Sequence, residues 1–555
     1  MKVRKIKVLI IAGFIALFSF GFVQINKDFE LVKNLDIFFT LFRELNLYYV
    51  DKTDPKELIE TGINSMLNSL DPYTQYIPES EMDDFKFMTT GEYGGIGALI
   101  RSGTDYAIIL EPYEGFPAAK SGLMAGDELI TVDGFNTKGK PLNEISEKLK
   151  GTPGTDVQIV YKKYGDTENR KISLTRQQIR VNNVSYTGLV GNKTGYIRLS
   201  NFTMDAGKEV KDAFQELKNK YGITGLILDL RGNPGGLLIE AVRVCNLFVE
   251  KGQLIVRTKG KISQWDQEYY TTVDPIDKEI PIVVLVNRGS ASASEIVAGA
   301  LQDLDRAVIY GQRTYGKGLV QTTRKLTYNT QLKVTTAKYY IPSGRCIQAL
   351  DYTHRNPDGS VGNIPDSLVS EFLTKNKRKV FDGGGITPDR VDTFENYSSL
   401  TYNLYSKNMI FDFASDYIIR NPQKPDMTGY VLDNEEFQKF KSFVAGKEFT
   451  YETQSETVLK ELIESAKREK LYDNAAETFV TLEKELQHNN DEDIDNFRKE
   501  VESLLKEEII SRYYYQKGRI SVQIAEDKQI GKAAGLLSDP VVYSGMLQNI
   551  QVGAN

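Results

Sequence analysis

Three serines crowd one short corner of the chain, Asn287-Arg-Gly-Ser-Ala-Ser-Ala-Ser-Glu-Ile296, at positions 290, 292 and 294. The apolar run Ile280 to Val286 before it reads as a buried strand, and Ile296, Val297, Ala300 and Leu301 after it recur at helical spacing. A strand-to-helix corner offers unpaired backbone N–H groups and the positive end of a helix dipole. Both an acyl-transfer nucleophile and the oxyanion it creates would be well placed there. A structural reading also exists, because Ser292-Ala-Ser-Glu295 fits a capping box and small residues pack well into corners.

A serine needs a base. The chain has only His354 and His488, both in polar, charged surroundings far from any small-residue corner, so a Ser-His-Asp triad is poorly supported. A second segment supplies another base. Gly311-Gln-Arg-Thr-Tyr-Gly-Lys317-Gly-Leu-Val-Gln321 follows the short strand Ala307 to Tyr310 and sets Lys317 between two glycines, where backbone can approach closely. A lysine made less basic by burial can take a serine proton, and Ser-Lys sites are variants of the triad.

Together, Ser-Ala-Ser-Ala-Ser-Glu-Ile and Tyr-Gly-Lys-Gly-Leu-Val-Gln resemble the carboxyl-terminal processing peptidases, the tail-specific proteases of peptidase family S41. The resemblance implies that Ser292 is the nucleophile, that Lys317, at the family's separation from it, is the base, and that Gln321 orients the lysine. It also gives Glu295, Asp303 and Thr314 supporting positions: Glu295 as a helix cap, Asp303 as a partner on the helix, Thr314 beside the lysine loop.

These groups must be positioned by the elements around them. Gly195 to Phe202 reads as a strand, about Ala206 to Tyr221 as an amphipathic helix, and Gly225 to Leu230 as a buried strand entering Arg231-Gly-Asn-Pro-Gly-Gly236. That turn exposes backbone N–H at Gly235 and Gly236 just before another helix. Either glycine could donate to an oxyanion with Ala293 as the second donor. The continuing alternation of strand and helix argues a layered α/β core, and the resemblance implies a crotonase-like, ClpP-like ββα fold. Pro342-Ser-Gly-Arg-Cys-Ile-Gln348 and Gly383 to Asp389 match further family segments, with Cys346, where Ser is more usual, read as packing. Asp351 to Val380 reads as a polar surface loop with a short helix.

Residues 91–176 carry Gly94-Gly95-Ile96-Gly97-Ala98, then Pro117-Ala-Ala-Lys-Ser-Gly-Leu-Met-Ala-Gly-Asp127 and Leu129-Ile-Thr-Val-Asp-Gly134, and resemble a protease-associated PDZ domain. In such a domain the backbone N–H groups at 94–97 would hold a peptide carboxylate while the peptide adds as a strand. Upstream, 26–90 reads as helical, with Leu31, Leu35, Phe38, Phe39, Leu41 and Phe42 on one side of a helix and a second helix from about Pro55. Leu70-Asp-Pro-Tyr-Thr-Gln-Tyr76 resembles the family's Leu-Asp-Pro-His-Ser-x-Tyr segment, with Tyr73 and Thr74 in place of His and Ser. The expected organisation is therefore 26–90 helical, 91–176 PDZ, 177–392 protease core, and 393–555 a mainly helical region of charged patterns, such as 456–485 and 491–512, without evident chemistry.

At 555 residues several domains are expected. The net charge of −6 gives no sign of nucleic-acid binding, and Cys245 and Cys346 make neither a metal-ligand spacing nor a disulfide framework, so no metal or cofactor is expected. Residues 1–25 pair a basic start, Met1 to Lys7, with an apolar run, Val8 to Val23. This reads as a signal peptide or a membrane anchor, with a buried N-terminal helix as the structural alternative, and either of the first two would export the body of the chain, to the periplasmic side in bacteria. The expected activity is a serine endopeptidase acting on unfolded or apolar-ended polypeptides, with a homodimer and N-terminal membrane association as further open partners. Two alternatives stand beside it: a PDZ-bearing scaffold with an inactive or latent core, and a hydrolase of the same fold acting on another acyl compound. Retention of Ser292, Lys317 and Gln321 argues against the first; a PDZ module without a nucleotide- or CoA-binding glycine motif argues against the second.

Overall fold

The computed structural model describes residues 29–393, 397–427 and 429–548. The expected signal or anchor, residues 1–25, lies outside them. Among the described residues no helix is long and apolar enough to cross a membrane.

The chain divides into two units. The first comprises residues up to Tyr76 with segments 323–326 and 331–334. It holds a helix over 29–48 and the helix Pro55–Asn68, started by Asp54, whose carboxylate accepts from Lys56 N, and by Pro55 at its first position. The helix at 29–48 leaves Leu31, Leu35, Phe38, Phe39 and Leu41 largely exposed, so its apolar side is not buried within the unit. Asp71 folds the following turn by accepting from the N–H groups of Tyr73 and Thr74, each at 2.8 Å.

The second unit, the remainder of the chain, is built on a six-stranded sheet. Its strands are β1 (Val184–Val190), β2 (Thr194–Leu199), β3 (Gly225–Asp229), β4 (Ile282–Val286), β5 (Val308–Gly311) and β6 (Arg390–Val391). β1 is antiparallel to β2, and every later pairing is parallel. Helices α1 (Ala206–Tyr221), α2 (Leu238–Asn246) and α3 (Ala293–Asp303) connect the strands. The packing explains why β4 is apolar throughout and why β3 is apolar up to its last residue, Asp229. Leu226, Leu228, Val284 and Val286 pack with Phe214, Val244 and Val297 of α1, α2 and α3, whereas Ile227, Val283 and Leu285 point to the opposite face. A strand buried on both sides has no polar alternation to show.

The opposite face is covered from the far end of the sequence. A helical segment α4 (Arg498–Glu526) precedes α5 (Lys528–Leu537) and α6 (Pro540–Leu547). Ile530, Ala533, Leu536, Leu537 and Tyr543 pack on Tyr196, Ile227, Val283 and Tyr310. The C-terminal region thus supplies the third layer of the protease core as well as its own cluster around Phe413, Phe437, Phe440 and Leu505. α4 is not one helix. Tyr515, at φ 53° and ψ −152°, breaks it, and the two arms fold back so that Gln523 reaches Glu507 at 2.8 Å and Arg519 reaches Glu508 at 3.2 Å. Gly518 permits this closeness, since a methyl group there would lie 2.9 Å from the Ile510 side chain.

Before the central sheet, Ala98–Ser102, Ala107–Pro112, Glu128–Val132, Asp156–Lys162 and Asn169–Thr175 form an antiparallel sheet with its own core, against which Ile145 and Leu149 of helix Leu142–Leu149 are buried. Ala98–Ser102 pairs only with Ala107–Pro112, so one edge is open among the described residues. The segment expected as a loop with a short helix, 351–380, instead forms two short hairpins, Leu350–Arg355 with Val361–Asn363 and Glu371–Leu373 with Lys379–Phe381, and a single 3-10 turn. Its β-prone residues flank turns at Asn356–Gly359 and Thr374–Lys377, the latter with Lys377 at φ 64°.

Candidate active site

The serine corner forms where β4 ends. Ser292 sits just before α3 with φ 57° and ψ −112°, a conformation rarely held by a residue with a side chain. The three serines separate cleanly. Ser290 and Ser294 are fully buried, and their hydroxyls donate to Leu230 O at 2.8 Å and to Asn233 O at 2.9 Å. Both are fixed as structural hydroxyls. Ser292 is half-buried and stands at the strained point of the turn.

The capping-box reading of this corner is half of what the structure contains. The Glu295 carboxylate does accept from Ser292 N, at 2.8 Å to Oε2. The same oxygen also accepts from Lys317 N at 2.9 Å, so the two backbone nitrogens lie no farther apart than those two bonds allow. The other oxygen, Oε1, accepts from Thr314 Oγ1 at 2.6 Å and Gly316 N at 2.7 Å. Glu295 is 0% exposed. Burial raises its pKa, and the four hydrogen bonds pull it back. One carboxylate therefore ties the serine turn to the lysine loop.

The glycines beside Lys317 have steric causes. A methyl group at Gly316, which has φ +87°, would lie 2.4 Å from Ala349 Cβ, and one at Gly318 would lie 2.8 Å from Gln348 N. Gly318 N donates to Gln348 Oε1 at 2.8 Å, and Ala349 N to Gly316 O at 2.9 Å, so the 342–349 segment braces the lysine from behind. Lys317 itself is half-buried. Gln321, on strand Leu319–Lys325, donates its amide to Thr335 Oγ1 at 3.2 Å. The two histidines are elsewhere: His354 is exposed beside Asp351, and His488 lies with Glu456.

The turn after β3 closes the site from the other side. Asn233, fully buried, donates Nδ2–H to Leu199 O at 2.7 Å and accepts Gly235 N–H on Oδ1 at 2.9 Å, while its carbonyl accepts Ala291 N–H at 3.0 Å. Gly235, at φ +96°, touches the serine corner: a methyl group there would lie 2.6 Å from Ala291 O, 2.8 Å from Ala293 N and 2.8 Å from Ser292 Cβ. Gly235→Ala is therefore expected to cost about 1–3 kcal/mol in stability and about a hundredfold or more in kcat, read from thermal melts and steady-state rates. Of the two candidate glycines, Gly235 already gives its N–H to Asn233. Among the described residues the N–H groups of Gly236 and Ala293 have no protein acceptor.

Asp303 and Thr314 take supporting places. Asp303 pairs with the buried Arg345 at 2.8 Å and accepts Ser343 N at 2.9 Å, and Thr314 Oγ1 accepts Ile386 N at 2.7 Å while donating to Glu295. Burial pushes the Cys346 thiol up, in keeping with a packing role. In the antiparallel module, the side chain of Ile96 belongs to the core, and Gly94 and Gly97 allow close approach to Gly151 and Phe116. Sequence reading misses two organising residues. Asn233 stands inside the Arg-Gly-Asn-Pro-Gly-Gly turn without a role, and Glu295 reads only as a cap. The signal for both is a short polar side chain or a carboxylate embedded among residues otherwise too small to fix a loop.

Residues 193–358 match Peptidase family S41, and residues 400–537 match the C-terminal helical domain of probable PDZ-proteases. A carboxy-terminal-processing protease of Bartonella bacilliformis is 37% identical over 363 residues, which covers 65% of this chain and 80% of that one. Among solved structures, the photosystem II D1 C-terminal processing protease is 32% identical over 59% of this chain and 92% of its own, with a TM-score of 0.33. The PDZ domain of a carboxy-terminal protease from Vibrio cholerae, solved with a peptide, is 30% identical over 16% of this chain and 99% of its own, with a TM-score of 0.16. The chain belongs to the carboxy-terminal-processing serine proteases of peptidase family S41.

Proposed function

We propose that Ser292 and Lys317 form a catalytic dyad that cleaves exported polypeptides, selected by their C-terminal tails through the PDZ-like module. The observation that carries the dyad is the Glu295 carboxylate, which pins the amides of Ser292 and Lys317 to one oxygen. Ser292 Oγ attacks the scissile carbonyl while the neutral Lys317 amine takes its proton. The oxyanion is held by the N–H groups of Ala293 and Gly236, with Gly235 shaping the hole. Lys317 then protonates the leaving amine, and water, activated by the same amine, releases the acyl group. Gln321 orients the lysine loop from the neighbouring strand. The strand–helix layering supports the crotonase-like, ClpP-like reading of the core.

Tail recognition is supported by the open edge of Ala98–Ser102, next to a turn whose Ile96 and Gly97 N–H groups have no protein acceptor among the described residues. A tail would add to that edge with its carboxylate on the turn formed by Gly94, Gly95, Ile96 and Gly97. Export rests on the basic-then-apolar run of residues 1–23.

The test is cleavage of an unfolded protein ending in a small apolar tail, followed by mass spectrometry of the fragments. The same protein with an acidic tail runs in parallel. Faster cleavage of the apolar-ended form is expected. Equal rates would remove the tail-recognition part, and tail binding without any cleavage would favour a latent scaffold.

A further inference from the structure

The turn that carries Gly235 and Gly236 is held from outside the family's protease segment. Arg231, its first residue, bends back on Asp229: Nε lies 3.0 Å from Oδ1 and Nη2 lies 2.6 Å from Oδ2 of that carboxylate. Asp229 is buried and also accepts Tyr196 OH at 2.7 Å. Burial alone would raise its pKa, and Arg231 holds it below the ordinary value. The remaining guanidinium nitrogen, Nη1, is gripped by the C-terminal helices, at 2.7 Å from Asp527 Oδ2 and 3.0 Å from Gln529 Oε1.

Asp527 does two things with two oxygens. Oδ1 caps α5, accepting from Gln529 N at 2.8 Å and Ile530 N at 3.2 Å. Oδ2 faces Arg231. Gln529 in turn donates to Asp392 O at 3.3 Å, at the far edge of the same sheet. The Arg231 side chain is only 11% exposed and that of Asp527 18%, so the ion pair is largely shielded from solvent and salt.

We propose that Asp527 is a positioning residue for the proteolytic reaction: through Arg231 it fixes the Arg231–Gly236 turn and so aims the oxyanion donor of that turn at the Ser292 site. The proposal rests on the oxyanion role given above to that turn. It gives the C-terminal helices a share in the chemistry besides covering the sheet.

The two oxygens can be separated by substitution. Asn caps a helix as well as Asp, so Asp527→Asn keeps α5 while removing the charge opposite Arg231; Asp527→Ala removes both. In the full chain, Asp527→Asn is expected to lower kcat about tenfold with KM unchanged, a partial form of losing an oxyanion donor. Amide hydrogen exchange, followed by mass spectrometry of peptides spanning 226–240, is expected to speed up in the same variant while peptides from α5 stay as in wild type. Asp527→Ala should speed both. Wild-type exchange across 226–240 in Asp527→Asn would overturn the proposal, whether or not the enzyme turns over the chosen substrate. Faster exchange with an unchanged kcat would also overturn it, leaving Asp527 a structural clamp. Failure of the dyad reading appears separately, as cleavage that persists in Ser292→Ala.

Discussion

Ser292→Ala and Lys317→Ala are each expected to reduce peptide-bond cleavage by about 10⁵–10⁶-fold, to the limit of detection against an unfolded substrate. The prediction is stringent because the fold should survive both changes. The structural hydroxyls of the corner are Ser290 and Ser294, which stay in place. The lysine loop is bonded to Glu295 through the backbone N–H groups of Gly316 and Lys317, which Lys317→Ala retains. Thermal melts close to wild type, together with lost activity in both variants, would assign nucleophile and base. The double variant should be no worse than either single one, since the two act as a unit. Because the base must be a neutral amine, wild-type kcat/KM should rise with pH through the titration of that amine. Activity surviving in Ser292→Ala would sink the nucleophile assignment, and activity surviving in Lys317→Ala would move the base elsewhere.

What the sequence made legible follows from what kind of fact each feature is. Residue type and separation are properties of the chain, so Ser292, Lys317 and the glycines around them could be picked out directly. The resemblance implied Ser292 among the three serines, but the physical ground for setting the other two aside was not legible, because it depends on which hydroxyls find carbonyls across the fold, Leu230 O for Ser290 and Asn233 O for Ser294. β3 announced by its apolar run Leu226-Ile-Leu228 that both its faces are covered, but a run cannot say by what. The answer, α5 and α6, lies far along the chain: Arg231, just after β3, and Gln529 of α5 are bonded across 298 residues of sequence. The charged pattern of 491–512 is helical but not one helix: it is broken at Phe497 into Asn490–Asn496 and the start of α4. The reversal at Tyr515 was hidden, since a tyrosine at φ 53° has no turn signature and only Gly518 nearby hinted at two closely packed arms. In 351–380 the short β-prone runs were too brief to outweigh the polar residues between them.

Glu295→Gln should be the most informative change away from the reacting atoms. The side chain keeps its shape but exchanges one acceptor oxygen for an NH2 group. All four of its partners donate: Ser292 N and Lys317 N on one oxygen, Thr314 Oγ1 and Gly316 N on the other. Thr314 Oγ1, which already accepts Ile386 N–H, has a second lone pair for an NH2 group, but its own O–H then loses the Glu295 acceptor. Whichever way the amide turns, two donors lose their acceptor, at about 1–3 kcal/mol each. A loss of about 2–5 kcal/mol in unfolding free energy is expected, measured by denaturant titration. The second consequence separates a site organiser from an ordinary buried cap. If the carboxylate fixes the separation of nucleophile and base, kcat should fall by about 10²–10³-fold in the fraction that remains folded, because both groups are displaced at once. A cap of α3 alone would cost stability, typically about 1 kcal/mol, and leave the turnover of the folded enzyme near wild type. Glu295→Asp completes the comparison: it restores the charge but is one methylene short of bridging two loops. Stability that recovers without kcat would place the function of Glu295 in the span between Ser292 and Lys317, and full recovery of kcat in either variant would show that the shared carboxylate does not set the geometry of the dyad.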